Sequence, residues 1–542
     1  MNRVALGLIA GGLLAVVAPA GAADPPRPAP PQPSADAAAL AARIDQLLES
    51  TWAEKGITPS APAADAEFLR RVYLDLAGRI PTVAEARAFL ADQRPDRRRW
   101  LVAGLLARPT YSRHLATVWR HLLLPEADTN LQTQFLVPGF DAWVRGQFDR
   151  NAPYDQFVRD LLTTPVDQQA AQQLFNRTGI GRPSPLAFYL LKDAKAENLA
   201  SATARVFLGV RLECAQCHDH PFATWTRDQF WGLAAFFAGI RAQDRGAGFA
   251  IPDKELMDRR ELPIPGTDRV VQATFPDGSE PQWKFKVGPR QTLAEWVTAK
   301  ENPYFARAAV NRVWAHFFGV GLVEPVDEMV GGQDTVTHHG GLLDELARAF
   351  AAHNFDLKFL CEAIAATRAY QLSSRGGGKA PLFSRHPLRG LTGEQLFDSL
   401  AVATGQPDVV GDDPFAAFNG GSARTEFLAK FGQQTGRPTE YETSIIQALM
   451  LMNGSFVGEA TSPARSELLT AVLEAPFLDD RGRVETIYLA TVSRPPSPKE
   501  MERALAFLDR AGTGSDQRNR RDEALADVFW ALLNSAEFVF NH

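Results

Sequence analysis

Cysteine is nearly absent from this chain: three in 542 residues. Three thiols cannot staple a chain of that length, so a disulfide framework is excluded and stability must come from packing. Long apolar runs are missing too. After the N-terminal segment no stretch of about 18 uninterrupted apolar residues occurs, so no later membrane-spanning helix is expected. An excess of positive charge is also lacking: 57 Lys and Arg stand against 63 Asp and Glu, a net of -6 with the signs interspersed. That balance gives no electrostatic case for a nucleic-acid partner. The familiar catalytic signatures are absent as well. There is no H-E-x-x-H and no G-x-S-x-G. "GVGLVE" lacks the third glycine of a dinucleotide loop, and "GGGKA" lacks the spacing and hydroxyl of a phosphate loop. A hydrolase acting on an extracellular polymer would rest on compartment alone and is the weakest reading.

The N-terminus is more informative. Arg3 precedes an apolar stretch from Val4 to Val17, and Ala18-Pro19-Ala20 and Ala20-Gly21-Ala22 are small-x-small cleavage sites. Residues 1–22 therefore read as a signal peptide, and the mature protein as exported to the periplasm, cell surface or medium with no further membrane crossing. Residues 23–36, with "DPPRPAPPQPS", form a proline-rich tether. From about Ala37 the apolar spacing is helical. Thr82 with Glu85 fits a capping box, as does Ser497 with Glu500 behind a first-position proline. Gly319 ends a strong apolar face, and Cys361 shares a helical face with Leu357, Leu360 and Ile364, so it reads as a buried small residue. Between residues 241 and 290 proline and glycine rise. "QWKFKV" alternates in period two after "VVQATF", which predicts a small β-hairpin across Asp277-Gly278. Arg375–Lys379 and Gln406–Gly421 read as loops. The expected architecture is mainly α: a helical domain over 37–240, a loop and β-hairpin connector over 241–290, and a second helical domain over 291–542.

Two of the three cysteines and two of the ten histidines fall within twelve residues, "RLECAQCHDHPF". Cys214-Ala215-Gln216-Cys217-His218 matches the C-x-x-C-H pattern of c-type haem attachment. Each thiol of that pattern adds to one vinyl group on the same porphyrin edge. Two intervening residues in a helical turn bring both sulfurs to that edge, and the adjacent imidazole becomes the proximal iron ligand. The aromatic sequel Phe222, Trp225, Phe230, Trp231, Phe236 and Phe237 could wall a haem crevice, or could be ordinary helix core. Met257, Met329, His114 and His121 are conceivable distal ligands without any local mark. A second reading gives Cys214, Cys217, His218 and His220 to zinc, since two thiolates and imidazole suit that ion. A third is a Cys214–Cys217 disulfide. His338-His339 follows Thr337 at a helix start, where a capping or surface role is the simpler account.

"RRVYLDLAGRIPTVAEARAFL", "VFLGVRLECAQCHDHPFATWTRDQFWGLAAFF", "LAEWVTAKENPYFARAAVNRVWAHFFGVGLVEPVDEM", "FDLKFLCEAIAATRAYQLSS" and "LLNSAEFVF" together resemble a planctomycete-type family of secreted proteins. Its members carry a cytochrome-like domain of unknown function followed by a partner domain, also of unknown function. The resemblance runs from about Ala37 to His542. It implies haem at Cys214, Cys217 and His218, and a periplasmic or extracellular redox partner. Many relatives carry a further haem domain ahead of this pair, where this chain has its tether. Relatives also tend to have Ser-His-Pro where this chain has "TVTHHGG", which weakens a catalytic role for His338 or His339. The leading expectation is an exported haem-binding or redox-associated protein. The alternative is a non-catalytic secreted scaffold whose Cys/His motif holds zinc or a local disulfide.

Overall fold

The computed structural model describes residues 31–128, 135–175, 182–220, 223–244, 250–329, 335–376, 381–406, 465–511 and 517–542, with a few isolated positions between 424 and 463. The expected signal peptide, most of the tether, Phe222, residues 377–379 and nearly all of the loop expected over 406–421 lie outside the described residues.

The protein is mainly α. In the first half the helices are α1 (Ala35–Glu54), α2 (Asp65–Ala77), α3 (Val83–Ala91), α4 (Arg97–Leu106), α5 (Pro109–Leu123), α6 (Val137–Asp149), α7 (Tyr154–Leu162), α8 (Gln168–Phe175), α9 (Ala187–Leu190), α10 (Ala196–Thr203) and α11 (Arg227–Ala234). The second half holds α12 (Pro289–Val297), α13 (Phe305–Phe318), α14 (Gly340–Ala352), α15 (Leu357–Ala366), α16 (Gly393–Thr404), α17 (Glu467–Glu474), α18 (Asp480–Val492), α19 (Pro498–Ala511), α20 (Gln517–Leu533) and α21 (Ala536–Val539). Local signals set many of these ends. The Thr82–Glu85 capping box is formed, and Ser497 and Glu500 exchange the same pair of bonds. Gly319 closes α13 in the left-handed region at φ 69°.

Two apolar cores organise these elements. The larger takes in α1 through α15, from Ala37 to Phe383, together with Leu489 of α18. Its packing does not part the chain at 241–290: α1, with Leu40, Ile44, Leu48 and Trp52 on its inner stripe, lies against α14 and α15. The smaller core gathers α16 to α20 around Phe397, Leu400, Ile487 and Phe529, and also receives Leu74 and Ile80 from the first half.

Helix α2 is enclosed on nearly every side, so even Arg70, Arg71 and Asp75 are fully buried. They act as the joint between the cores. Asp75 accepts from Arg389 Nη2 at 2.5 Å, Tyr370 Oη at 2.7 Å and Asn541 Nδ2 at 2.8 Å. Arg70 donates to the carbonyls of Thr491 at 3.0 Å and Phe538 at 2.6 Å. The short strand pair β7 (Arg389–Gly390) and β8 (Phe540–Asn541) thereby lies across α2. A second tie joins the C-terminal turn of α5 to the first turn of α16, where His121 Nε2 lies 2.6 Å from Glu394 Oε1. Arg120 of the same turn lies 3.6 Å from the same Glu394 oxygen, so a cation at one helix's C-terminus meets an anion at another's N-terminus, the favourable sense for both macrodipoles.

Among the described residues the β-structure is confined to antiparallel pairs. β1 (Ile240–Asp244) pairs with β2 (Ala250–Glu255), β3 (Glu261–Pro263) with β4 (Val270–Gln272), and β5 (Val323–Glu324) with β6 (Val336–Thr337). The expected hairpin is corrected here. Val270–Gln272 is a strand, but its partner is the upstream Glu261–Pro263, and "QWKFKV" is not a strand at all. Its alternation has another origin, because each aromatic meets a separate environment. Trp283 packs on Phe236 and under the Arg260 guanidinium at 4.2 Å, whereas Phe285 is 89% exposed at the apex of a turn. Lys286 turns the chain at φ 61°, and Pro281 and Pro289 bracket the stretch.

Candidate functional site around the C-x-x-C-H motif

Helix α10 widens into a π-helical turn, Ala204–Leu208, and stops at Gly209 with φ 64°. A side chain at this glycine would meet Met329, whose Cε lies 2.5 Å from the position a Cβ would take. Val210 and Leu212 then bury and bring the chain back onto the core. A short 3₁₀ turn, Glu213–Gln216, follows at once. In such a turn side chains three residues apart eclipse one another. The C-x-x-C spacing therefore puts Cys214 and Cys217 on one face. That face is outward: both thiols are exposed and free, while Ala215 between them is fully buried.

His218 follows on the same exposed surface. Its Nδ1 lies 2.7 Å from the carbonyl oxygen of Asp219. A carbonyl can only accept, so Nδ1 carries the proton and the lone pair of the neutral ring is on Nε2. A histidine that ligates through one nitrogen commonly donates from the other to such an acceptor. The turn is secured from α11. Trp231 Nε1 donates to the Gln216 carbonyl at 3.0 Å, and the Arg227 amide donates to Asp219 Oδ1 at 2.8 Å. The His220 amide donates to the Trp225 carbonyl at 2.8 Å, closing the intervening loop.

Behind the motif, the loop carrying Asp327 is fixed by ion pairs to Arg312 at 2.7 Å and Arg205 at 3.8 Å. Burial alone would raise the Asp327 carboxyl. The guanidiniums of Arg312 and Arg205 outweigh it and hold the group below the usual carboxylate range. The Met329 amide donates to the Gly209 carbonyl at 2.9 Å, so this loop also backs the entry to the motif.

Cys214, Cys217 and His218 are thus all exposed. His220 does not join them: it is buried, 8% exposed. Among the described residues no group of three or more His, Cys, Asp or Glu side chains is placed to hold a metal ion. Trp225, Phe230, Trp231, Phe236 and Phe237 are all buried core residues, so they do not wall an open crevice. The conceivable distal ligands are engaged elsewhere. His114 packs against His316 at 5.5 Å between ring centres, and burial, with His316 beside it, lowers its imidazole to about 3. His121 pairs with Glu394, Met329 fills the space beside Gly209, and Met257 lies half-exposed against Gly288. His339 caps α14: its Nδ1 accepts from the Leu342 amide at 3.0 Å, so Nε2–H donates to Thr51 Oγ1 at 3.1 Å. Cys361 is buried inside α15, and burial pushes its thiol up to about 12.

Sequence reading missed Asp219, Trp231 and Arg227 as supports of the motif. One signal was available: Thr226 and Gln229 form a capping box, which marks where the bracing helix begins.

Two family models match the chain in order. PSCyt2, a protein of unknown function (DUF1549), matches residues 43–242, and PSD1, a protein of unknown function (DUF1553), matches residues 289–438. The chain carries these two domains in the order that its motifs imply. Cys214, Cys217 and His218 fall inside the PSCyt2 match, as do α10 and α11, which hold them. The PSD1 match takes in α12 to α16. Neither the curated proteins nor the solved structures contain a match to this chain.

Proposed function

We propose that this protein is an exported redox protein that holds c-type haem through Cys214 and Cys217, with His218 as the proximal iron ligand. The observation that carries the reading is the exposure of two free thiols three residues apart and of the imidazole directly behind them, whose unprotonated nitrogen is Nε2. Two exposed thiols and one imidazole fit such a group in donor chemistry, although the aromatic residues that follow them are buried in the core and do not wall it. The sulfurs are not sunk in filled core, Ala215 between them is buried, and the ring's tautomer is the ligating one. Haem bound there supplies a one-electron iron couple. The chain's own share is to present the sulfurs on one edge, to orient His218 and to hold the turn rigid through Trp231. A zinc site built on the same cysteines is less well supported, because among the described residues no group of three or more His, Cys, Asp or Glu side chains is placed to hold a metal ion. Export is favoured by the N-terminal apolar segment with its small-x-small sites. Among the described residues no helix is long and apolar enough to cross a membrane. The redox partner is then periplasmic or extracellular and docks on the exposed motif face.

The test is expression into a periplasm equipped for cytochrome c maturation, followed by denaturing electrophoresis with a haem stain and a pyridine haemochrome spectrum. A stained band that Cys217→Ala abolishes is the expected result. A colourless protein with one zinc per chain would overturn the reading in favour of a scaffold.

A further inference from the structure

The His218 ring is exposed, and an exposed imidazole turns freely unless its acceptor is itself held. Its acceptor, the Asp219 carbonyl, belongs to the same planar peptide unit as the His220 amide. That amide donates inward to the Trp225 carbonyl at 2.8 Å. The peptide plane is therefore gripped at its N–H end. Its other end is fixed through the Asp219 side chain, whose Oδ1 accepts from the Arg227 amide at 2.8 Å. Arg227 is the first residue of α11, after the N-cap Thr226, so its amide is one of the donors that the helix itself leaves unpaired. One aspartate thus ties the ligand loop to a helix N-terminus by its side chain and orients the imidazole by its main chain.

We infer that Asp219 is the positioning residue of this site: its carboxylate, anchored on the Arg227 amide, holds the carbonyl that keeps the His218 proton on Nδ1 and frees Nε2 for iron. The significance for iron rests on the haem reading; the tautomer does not. In water a histidine side chain favours the Nε2–H form. Release of the carbonyl returns His218 to that form, which blocks the nitrogen needed for ligation. In the haem-bound state the Nδ1–H donor also raises the basicity of the ligating nitrogen. Asp219 touches neither iron nor porphyrin in this account and acts only through His218.

Three variants separate this role from a general loss of structure. Asp219→Ala removes the anchor, whereas Asp219→Asn keeps an oxygen acceptor at the same place. Arg227→Pro removes the donor from the other side. Proline is favoured at the first position of a helix, and Thr226, at φ -96° and ψ 158°, already has the extended conformation required before proline. The experiment uses the full mature chain without haem, labelled with 15N-histidine, and reads tautomers from long-range 1H–15N correlations. His218→Gln identifies the His218 signals by their loss. The expected result is Nδ1–H in the parent and in Asp219→Asn, and a majority of Nε2–H in both Asp219→Ala and Arg227→Pro. An Nε2–H parent, or an Asp219→Ala variant that keeps the parent tautomer, would overturn the inference. Should Asp219→Ala fail to fold, Arg227→Pro decides the question alone. In haem-loaded protein the iron–histidine stretching band should fall in Asp219→Ala and stay in Asp219→Asn. A chain that takes up no haem would defeat the haem reading, while the apoprotein measurement would still decide the role of Asp219.

Discussion

Replacement of Asp75 by alanine should be among the most damaging single changes in the molecule. Its carboxylate is fully buried and accepts from three donors that come from three distant parts of the chain: Arg389, Tyr370 and Asn541. Alanine leaves the Tyr370 hydroxyl and the Asn541 amide unpaired in the interior, at about 1–3 kcal/mol for each such group. It also leaves Arg389, 14% exposed, without its carboxylate. These losses overlap, and the measured cost of breaking a buried ion pair from one side is about 3–5 kcal/mol. The same range is expected here. Asp75→Asn keeps the shape and one acceptor, so its cost should be intermediate. The natural control is Asp228→Ala, which removes a pair to Arg269 in which both partners are more than half exposed and which is worth about 0–1 kcal/mol. Urea denaturation gives the comparison of stabilities. Hydrogen exchange gives its location: peptides over 386–392 and 536–542 should lose protection first, because the Leu391 amide donates to Val539 and β7 pairs with β8. If Asp75→Ala costs no more than Asp228→Ala, or if exchange rises elsewhere first, the assignment of Asp75 as the joint between the cores is wrong.

Other expectations follow from single sites. Burial would raise the Glu85 carboxyl, but Arg79, the Thr82 amide and Arg108 outweigh it and hold the group at about 2, against an ordinary value of 4.5. A depressed carboxylate contributes stability that is whole above the ordinary value and is lost as pH falls toward the folded value. Glu85→Gln should therefore cost about 1–2 kcal/mol at neutral pH, a figure discounted because Arg108 is 42% exposed, and the gap should close between pH 4.5 and about 2 in acid denaturation. Gly209→Ala places a Cβ at φ 64° and against Met329 Cε, so thermal melting should report a loss of about 1–3 kcal/mol, partly restored by Met329→Ala. A persistent clash-free melt would refute that geometry. Thiol titration of the haem-free chain should find Cys214 and Cys217 reactive in the native state, and Cys361 only after unfolding. The same titration on haem-loaded protein should find no reactive native thiol. Two reactive thiols there would contradict thioether attachment.

How much of this was legible in the sequence depends on the range of the interaction. The Thr82–Glu85 and Ser497–Glu500 boxes, the Gly319 cap and the inward Cys361 were readable because each is settled within a turn or two of helix. The short turn that carries Cys214 is local in the same way, since a spacing of three sets the shared face of the two cysteines. The strand partner of Val270–Gln272 was not, because alternation specifies a face and says nothing about which neighbour supplies the ladder. Asp219 was hidden differently. Its decisive group toward His218 is a backbone carbonyl, which every residue possesses, and its side chain binds another backbone amide. No residue-type pattern encodes that exchange.

The Arg70-Arg71 pair shows the limit from the other side. Two adjacent arginines on an amphipathic helix would ordinarily mark its solvated face. In α2 both are fully buried: Arg71 pairs with Glu67 one turn back, and the carbonyls of Tyr370, Leu372, Thr491 and Phe538 reach the two guanidiniums from more than two hundred positions away. A guanidinium presents five donors, so one arginine can satisfy several stray carbonyls at once. Arginine is therefore the residue that lets irregular chain segments end against a helix without leaving their carbonyls unpaired in the interior. The charge that makes such a residue look like surface in the sequence is what permits the C-terminal segment to be interior in the fold.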